Sequence, residues 1–555
     1  MRYAIGVDFG TESARAVLVD VASGAELAMA VHEYVNGVID RRLPAPDDDV
    51  RLEPDWALQD PDDYIGTFRA TIPAVLAQTG VDAADVIGVG IDFTACTMLP
   101  TTGDGTPLCR LPDFRRHPHA WVKLWKHHAA QPEADQINTL ASRRREEWLP
   151  RYGGRISSEW FYSKSLQILD EAPDVYRTGE RFIEAADWVV WQLTGVETRN
   201  ACTAGYKAIW SQSDGFPDES FFGGLNPAFA TVVDDKMSRS IATLGSAAGG
   251  LTPESAGWTG LRPGTPVAVA NVDAHVSVPA VGVTEPGTLV AVMGTSTCHL
   301  VLCGELALPE GMCGVVEGGI IPGLFGYEAG QSAVGDIFAW FTKRAVPPTV
   351  HQEARAAGKT VHDILVRDAA SLRPGQSGLL ALDWWNGNRS ILVDVDLSGL
   401  LVGVTLATEP AEIYRTLLEA TAFGTRAIIE SFEAAGVDVD RVVACGGLPE
   451  RNSLLMQLSA DIAGREFEVS ASTQAPALGS AMHAAVAVGA AGGGYDTIQD
   501  AAAGMVRLSV RTFRPDPSTR KVYDALYREY VALQDYFGRG ANDVMKTLRR
   551  MRTAS

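Results

Sequence analysis

The sequence predicts an α/β protein made of two similar domains. Strand-like apolar runs alternate with segments of helical periodicity, which is typical of this fold class. A strand, a Gly-Thr turn and a second strand occur near the N-terminus and again near the middle of the chain. A repeat at that spacing indicates two related halves. The length of 555 residues also exceeds what one hydrophobic core usually supports.

The first of these hairpins opens the chain. Residues 3–9 and 14–20 are predicted strands, and Gly10-Thr11-Glu12-Ser13 between them is typical of a tight connection. Backbone N–H groups and hydroxyls in such a turn can bind phosphate, and a carboxylate beside them can hold Mg²⁺ or its water. The turn therefore indicates a nucleotide-phosphate site, with Asp8 on the metal side. A plain hairpin is the alternative.

The second hairpin is predicted from strands at 288–293 and 297–302, with Gly294-Thr295-Ser296 between them. Two phosphate-binding turns suit one ATP molecule better than either turn alone. A segment rich in Gly and Pro, residues 282–287, precedes this hairpin and is typical of a connection. The predicted domains are residues 1–283 and 284–555.

The remaining elements follow from periodicity. Further strands are predicted at 86–92, 266–272 and 441–445, and helices at 409–435 and 517–536. The predicted apolar face of the last helix consists of Val522, Leu526, Tyr530 and Leu533.

Two further motifs follow predicted strands. Gly446-Gly447, with Asn452 in the next helix, would let a phosphate or a flat ligand approach the backbone, although an ordinary strand-to-helix turn has the same pattern. Asp273 lies in Asn271-Val272-Asp273-Ala274-His275, among small residues. Such an aspartate can accept the proton of a hydroxyl that attacks the γ-phosphate of ATP, and a helix cap is the alternative.

Composition excludes several classes of protein. The net charge of −21 argues against a general binder of nucleic acid or anionic membranes. Seven scattered cysteines and an N-terminus without a basic and apolar leader predict a reduced, cytoplasmic protein. The Ala- and Gly-rich stretch 475–494 is predicted as a buried helix and not a membrane span. Four histidines, at 117, 119, 127 and 128, are predicted to lie at the surface.

In combination, the motifs resemble those of the FGGY carbohydrate kinases of the actin and hexokinase superfamily. The segments 157–164 (SSEWFYSK) and 399–419 add to this resemblance. It implies two actin-like (ribonuclease H-like) domains with a catalytic cleft between them. ATP and Mg²⁺ would be the cofactors, with no nucleic-acid or membrane partner. A homodimer is left open.

The resemblance also implies roles for individual residues. Patterns at 92–96, 205–208, 326–332 and 385–389 are most similar to family members that phosphorylate L-ribulose to L-ribulose 5-phosphate in L-arabinose catabolism. Asp273 takes the place of the family's catalytic base. The residues implied around the sugar are Ala95, Trp125, Lys207, Asp273 and Glu328. Those implied for ATP are Gly10, Thr11, Ser13, Arg15, Gly294, Thr295, Ser296, Gly446, Gly447 and Asn452, with Asp8 for the metal.

Two rival functions share these features. A kinase of the same family acting on D-ribulose, xylulose or a pentitol would carry the same motifs, because one side chain can distinguish the configuration of one hydroxyl. A non-catalytic actin-like protein would bind ATP without sugar-dependent release of ADP. The presence of Asp273, Lys207 and Glu328 together argues against this second rival.

Overall fold

The computed structural model describes residues 1–507 and 511–553. These residues form two compact units that are interleaved along the chain. The first unit consists of Met1–Thr284, Val315–Gly326 and Gln474–Arg507. The second consists of Glu285–Gly314, Tyr327–Thr473 and the described residues of Leu508–Ser555.

The strands and helices alternate along the chain. The strands are β1 (Tyr3–Phe9), β2 (Ser13–Asp20), β3 (Glu26–Glu33), β4 (Leu58–Gln59), β5 (Val86–Phe93), β6 (Met98–Thr101), β7 (Val122–Lys123), β8 (Arg181–Glu184), β9 (Ala247–Gly250), β10 (Pro266–Ala268), β11 (Asn271–Val272), β12 (Gly287–Met293), β13 (Thr297–Cys303), β14 (Gly314–Glu317), β15 (Phe325–Gln331), β16 (Leu380–Leu382), β17 (Leu400–Val402), β18 (Val439–Cys445), β19 (Glu466–Val469) and β20 (Arg511–Phe513).

The helices are α1 (Pro61–Thr79), α2 (Gln131–Arg144), α3 (Phe161–Glu171), α4 (Pro173–Thr178), α5 (Ala185–Thr194), α6 (Ala201–Lys207), α7 (Glu219–Leu225), α8 (Val232–Lys236), α9 (Pro253–Thr259), α10 (Asp273–Ala280), α11 (Gly335–Arg344), α12 (Pro348–Ala356), α13 (Val361–Ala370), α14 (Pro410–Ala434), α15 (Gly447–Arg451), α16 (Ser453–Ala463), α17 (Ala475–Val488), α18 (Ile498–Met505), α19 (Arg520–Gly538) and α20 (Val544–Thr553).

Each unit contains a mixed sheet built around a hairpin. In the first unit the strand order is β3-β2-β1-β5-β10-β9, with β11 also paired to β5. In the second unit the sheet runs from β15 through β13, β12, β18 and β19 to β20. The hairpins β1–β2 and β12–β13 are antiparallel, and β1 and β12 each pair in parallel with a later strand, β5 or β18. The predicted α/β class and both predicted hairpins are therefore confirmed.

The strand predicted at 266–272 is broken in two. β10 ends at Ala268, and the N–H of Val269 donates to the carbonyl of Ser246 instead of continuing the ladder. The chain resumes as β11, where Asn271 pairs with Asp92 at the end of β5. Because of this break, Asn271 and Val272 lie beside the carboxyl end of β5.

Helix α17 packs against the first sheet at unusually short range. A Cβ atom on Gly6 would lie 1.7 Å from the carbonyl oxygen of Ala477, and one on Gly90 would lie 1.8 Å from that of Ser480. On the helix itself, a Cβ on Gly479 would lie 2.0 Å from the carbonyl oxygen of Val276 in α10. Glycine is required at these contacts because any side chain would overlap the neighbouring backbone. The buried helix predicted within 475–494 is confirmed, and none of the described helices is long and apolar enough to cross a membrane.

The first unit contains a second core beside the sheet β4-β7-β6-β8. Two histidines predicted at the surface lie inside it. His127 is fully buried and its Nε2 hydrogen-bonds with Gln167 Oε1 at 2.9 Å, while the Nε2 of buried His119 lies 3.1 Å from Glu171. The surface prediction for His119 and His127 was wrong, because specific polar partners compensate for their burial. His117 is half-buried and His128 is exposed.

The buried face of α19 differs from the apolar face predicted for the helix at 517–536. α14 matches the prediction at 409–435, but α19 buries Tyr523, Tyr527, Tyr530 and Gln534, and it leaves Val522 exposed. The tyrosine hydroxyls explain the difference. Tyr523 bonds with Glu419 at 3.1 Å and Tyr530 donates to Asp383 at 2.9 Å, so each tyrosine buries its ring while its hydroxyl keeps a partner.

Candidate active site

Acidic and amide side chains meet at the carboxyl ends of three neighbouring parallel strands in the first unit. Asp8 of β1 pairs in register with Asp92 of β5, and Asp92 pairs with Asn271 of β11. Asp273 follows two residues later as the first residue of α10. Ligand sites commonly form at the carboxyl ends of parallel strands, where loops and helix N-termini converge.

Burial sets the electrostatics of this cluster. Asp8 and Asp92 are buried, whereas Asp273 is partly exposed and its Oδ1 accepts the N–H of Ala274 at 2.7 Å.

Burial raises the pKa of Asp8, and the guanidinium of Arg15, 3.5 Å away, opposes that shift. Burial and then the charge of Asp8 raise the pKa of Asp92 well above its ordinary value, although Ser480 donates to its Oδ2 at 2.6 Å. Asp92 therefore favours its protonated form beside a charged Asp8.

Asp92 belongs to the cluster, although none of the motifs described above assigns it to the site. Its signal is a repeated tetrapeptide, Gly6-Val7-Asp8-Phe9 and Gly90-Ile91-Asp92-Phe93. In both copies the glycine contacts α17, and the two phenylalanine rings stack with centroids 4.8 Å apart. The repeat therefore fixes the register that brings the two carboxyl groups together.

The first hairpin turn is held from outside through its carbonyl groups. The N–H of Gly10 donates to the carbonyl of Ser13 at 3.0 Å and closes the turn. Tyr34 donates to the carbonyl of Gly10 at 3.1 Å, and Gln59 donates to that of Thr11 at 2.7 Å. These contacts fix the backbone of the turn beside Asp8.

The cluster fits a magnesium ion bound together with phosphate. The described residues contain no group of three or more His, Cys, Asp or Glu side chains that could hold a metal alone. Magnesium in phosphoryl-transfer sites usually keeps several waters and takes one or two carboxylates along with phosphate oxygens. Asp8 offers a hard oxygen ligand of that kind, with the protonated Asp92 beside it.

Three residues predicted around the sugar lie in the first unit near this cluster. The indole Nε1 of Trp125 donates to Thr11 Oγ1 at 3.0 Å, which connects it directly to the first turn. Ala95 lies in the short turn between β5 and β6, just beyond Asp92, and packs on the second core. Lys207 is buried at the end of α6, and the ring of the preceding Tyr206 lies 4.2 Å from that of His275 in α10.

A buried acid, Glu184, lies in the same part of the first unit. It ends β8 opposite Met98, and neither carboxyl oxygen has a hydrogen-bond partner among the described residues. Burial raises the pKa of Glu184 to about 8, with the charge of Lys164 opposing the shift. Folding therefore favours the protonated acid.

Replacing Glu184 by glutamine should flatten the dependence of stability on pH. The acid's stabilising contribution is complete below its ordinary pKa and is lost as pH rises through about 8. The unfolding free energy of the wild type should therefore fall relative to Glu184→Gln between pH 5 and 7.5, by at most about 1.4 kcal/mol per pH unit. Urea unfolding at several pH values measures this difference. If the plots of unfolding free energy against pH were parallel for the two proteins, the raised pKa of Glu184 would be wrong.

The second hairpin turn lies in the second unit. The N–H of Gly294 donates to the carbonyl of Ser296 at 2.8 Å, and the N-terminal end of α11 holds the turn through the carbonyls of Gly294 and Thr295. Gly294 and Thr295 are exposed and Ser296 is partly exposed. The turn therefore presents small polar groups to solvent on a fixed backbone.

Gly446 packs against the end of β12, directly before this second turn, and Gly447 follows it. Gly446 has a φ of 96°, and a Cβ on it would lie 2.5 Å from the carbonyl oxygen of Met293, directly before the turn. Gly447 is exposed, with open space at its Cβ position. The structure thus brings the two predicted nucleotide motifs of this unit together.

Asn452 and Glu328 lie on other elements of the second unit. Asn452 is buried and caps α16, because its Oδ1 accepts the N–H of Leu455 at 3.0 Å. Glu328 is buried within β15, and its carbonyl accepts the N–H of Cys313 at 2.7 Å. Asn452 therefore has a structural role as a helix cap, and its role at the nucleotide stays a prediction.

Known proteins similar to this chain cover its whole length. Residues 3–280 match the N-terminal domain of the FGGY family of carbohydrate kinases, and residues 289–488 match its C-terminal domain. A protein named Ribulokinase from Anoxybacillus flavithermus is 58% identical over 99% of this chain and 97% of its own length. Another named Ribulokinase, from Mycolicibacterium smegmatis, is 54% identical over 100% of this chain and 97% of its own length.

Solved structures agree in fold. A ligand-bound xylulose kinase from Lactobacillus acidophilus superimposes with a TM-score of 0.78 at 16% identity, covering 96% of this chain and 98% of that one. Plasmodium falciparum glycerol kinase with ADP gives 0.75 at 16% identity, with coverages of 96% and 98%. The two matched domains and the full-length relatives show that the chain belongs to the FGGY family of carbohydrate kinases.

Proposed function

We propose that this kinase transfers the γ-phosphate of ATP to L-ribulose and produces L-ribulose 5-phosphate, as a step of L-arabinose catabolism. The observation that carries the proposal is the 58% identity, over nearly the whole chain, to a relative named Ribulokinase. The carboxylates at the strand ends of the first unit and the two glycine-bearing turns of the second unit supply groups that this reaction needs.

Asp273 is the general base in this proposal. Its carboxyl group is partly exposed at the start of α10, and one oxygen is oriented by the N–H of Ala274. The other oxygen can accept the proton of the terminal sugar hydroxyl as that hydroxyl attacks phosphorus in line. Direct transfer of this kind forms no phosphoenzyme, and it relies mainly on positioning and on charge neutralisation.

The nucleotide is assigned to the turn residues of both units. Thr11, Ser13, Thr295 and Ser296 offer hydroxyls to the phosphates, and Arg15 adds a positive charge beside Asp8. Gly446, Gly447 and Asn452 are assigned to the adenosine side. Bound Mg²⁺ would neutralise phosphate charge, with Asp8 oriented towards it by its contacts to Arg15 and Asp92.

The sugar is assigned to Ala95, Trp125, Lys207 and Glu328. A ketose presents several hydroxyls, and it needs fixed donors and acceptors to be held in one orientation. Lys207 supplies a cationic donor and Glu328 an acceptor, both on buried positions. The functional division at residues 283 and 284 stays a prediction, and a homodimer stays open. We place the reaction in the cytoplasm, since the seven cysteines are few, odd in number and scattered without a CxxC pair.

The test is sugar-dependent formation of ADP by the purified protein with ATP and Mg²⁺. The substrates are L-ribulose, D-ribulose, D- and L-xylulose, ribitol, L-arabitol and glycerol. The highest kcat/KM is expected with L-ribulose. A preference for another sugar would support sugar kinase activity and overturn L-ribulose as the proposed substrate. ATP binding without stimulation by any sugar would overturn the proposed reaction and favour a non-catalytic ATP-binding protein.

A further inference from the structure

A fully buried lysine connects two segments that carry proposed sugar residues. Lys164 lies on α3, and its Nζ donates to the carbonyl of Cys96 at 2.7 Å and to that of Leu124 at 2.7 Å. A third carbonyl, that of Lys123, lies 3.5 Å away. Cys96 directly follows Ala95, and Leu124 directly precedes Trp125. One side chain therefore joins the backbones on which Ala95 and Trp125 stand.

The turn at Cys96 needs such support. Cys96 has a φ of 61°, a left-handed conformation that is uncommon for a residue with a side chain. The hydroxyls of Thr94 and Thr97 are 2.9 Å apart across the turn, and the N–H of Thr94 donates to the carbonyl of Phe9 at 3.2 Å. The turn is thus tied to the strand that carries Asp8, and Lys164 ties it to the Trp125 segment.

A charged amine suits this position better than a neutral group. In the described part of the chain, the hydrogen bonds of Lys164 Nζ go to main-chain carbonyls, and an ammonium has three donors for them. Charge-assisted hydrogen bonds are stronger than neutral ones, especially away from water. Burial lowers the pKa of Lys164 to about 8, which leaves the amine mostly protonated at neutral pH.

We propose that Lys164 is a positioning residue for the sugar, which fixes the spacing between Ala95 and Trp125 from behind the site. The proposal rests on the assignment of those two residues to the sugar. Because Trp125 also donates to Thr11, the same link keeps the sugar side in register with the first phosphate turn. Lys164 itself contacts neither substrate.

A second buried lysine provides the matched control. Lys123 is equally buried and belongs to the same core, but its Nζ donates to the side chain of Gln167 at 3.0 Å and lies 4.2 Å from the ring centre of Trp56. Its side-chain nitrogen therefore contacts side chains of the core and not the backbone of the sugar segments. Lys164→Met and Lys123→Met both remove a buried amine, and only the first releases the carbonyls beside Ala95 and Trp125.

The experiment measures KM and kcat for both variants with the sugar that the wild type uses best. Calorimetric sugar binding without ATP is measured alongside. Lys164→Met should raise the KM and the dissociation constant for the sugar at least tenfold, with the KM for ATP changed less than twofold. Lys123→Met should leave the sugar KM, the sugar dissociation constant and the ATP KM within about twofold of the wild type. If Lys164→Met does not fold, Lys164→Gln and Lys123→Gln replace the pair under the same criteria.

The outcomes separate this proposal from the proposed function. An active wild type with unchanged sugar KM in the Lys164 variant overturns the positioning role alone. Equal losses in the Lys164 and Lys123 variants also overturn it, since they would reflect general damage to the core. A wild type that uses a sugar other than L-ribulose changes the proposed substrate and leaves this comparison intact. A wild type inactive with every sugar overturns both.

Discussion

Replacing Asp273 by asparagine should lower kcat about a thousand-fold, equivalent to about 4 kcal/mol of transition-state stabilisation. Asparagine has nearly the same shape, and its Oδ1 can still accept the N–H of Ala274. It cannot take a proton from the attacking hydroxyl. The affinity for ATP should stay within a few-fold of wild type, because the residues assigned to the nucleotide are unchanged. Single-turnover ADP formation and calorimetric ATP binding measure the two effects.

The control for this variant is Glu254→Gln. Glu254 is an exposed acid in the first turn of α9, in the same unit, and its loss removes one negative charge near a helix N-terminus without touching the cluster. Its kcat should match the wild type. Near-normal turnover by Asp273→Asn would show that another group accepts the proton, and Asp92 would then be the next carboxyl group to replace.

Replacing Gly90 by alanine should lower the unfolding free energy by about 3 kcal/mol or more. The added methyl group would lie 1.8 Å from the carbonyl oxygen of Ser480, so α17 or β5 must move. Backbone atoms on both sides of the contact leave no flexible side chain to make room. Thermal and urea unfolding measure the loss, which should also be visible as a lower temperature of inactivation.

Gly257→Ala is the matched control for this substitution. Gly257 is an exposed residue inside α9, with open space at its Cβ position. The same change there should raise stability by about 0.5–1 kcal/mol, because alanine favours helix more than glycine does. A Gly90→Ala protein as stable as wild type would mean that the close packing of α17 is not required.

The elements predicted well are those defined by local patterns. Both hairpins and the long helix α14 follow directly from the alternation or periodicity of their own residues, so no distant contact is needed to recognise them. The two turns are predicted in the same way, because glycine and hydroxyl residues directly follow an apolar strand, and their binding of phosphate stays a prediction.

Features that depend on distant partners were missed or misplaced. His127 looks like a surface residue until Gln167, forty positions away, provides its hydrogen bond. α19 buries Tyr523 and Tyr530 and leaves Val522 exposed, because Glu419 and Asp383 accept hydrogen bonds from the two tyrosine hydroxyls. Asp92 carries its signal in the repeated Gly-x-Asp-Phe pattern, but its chemical meaning depends on a strand pairing that only the fold supplies.

The return of α17 to the first unit has a consequence for how the protein is made. The ribosome releases β1 and β5 early, yet the helix that packs on Gly6 and Gly90 emerges only after residues 327–473 of the second unit. At ordinary rates of translation that delay is on the order of twenty to eighty seconds. During this time the nascent sheet presents an apolar face without its final cover. Early folding of the first unit therefore depends on a temporary shield, such as a chaperone, or waits for α17.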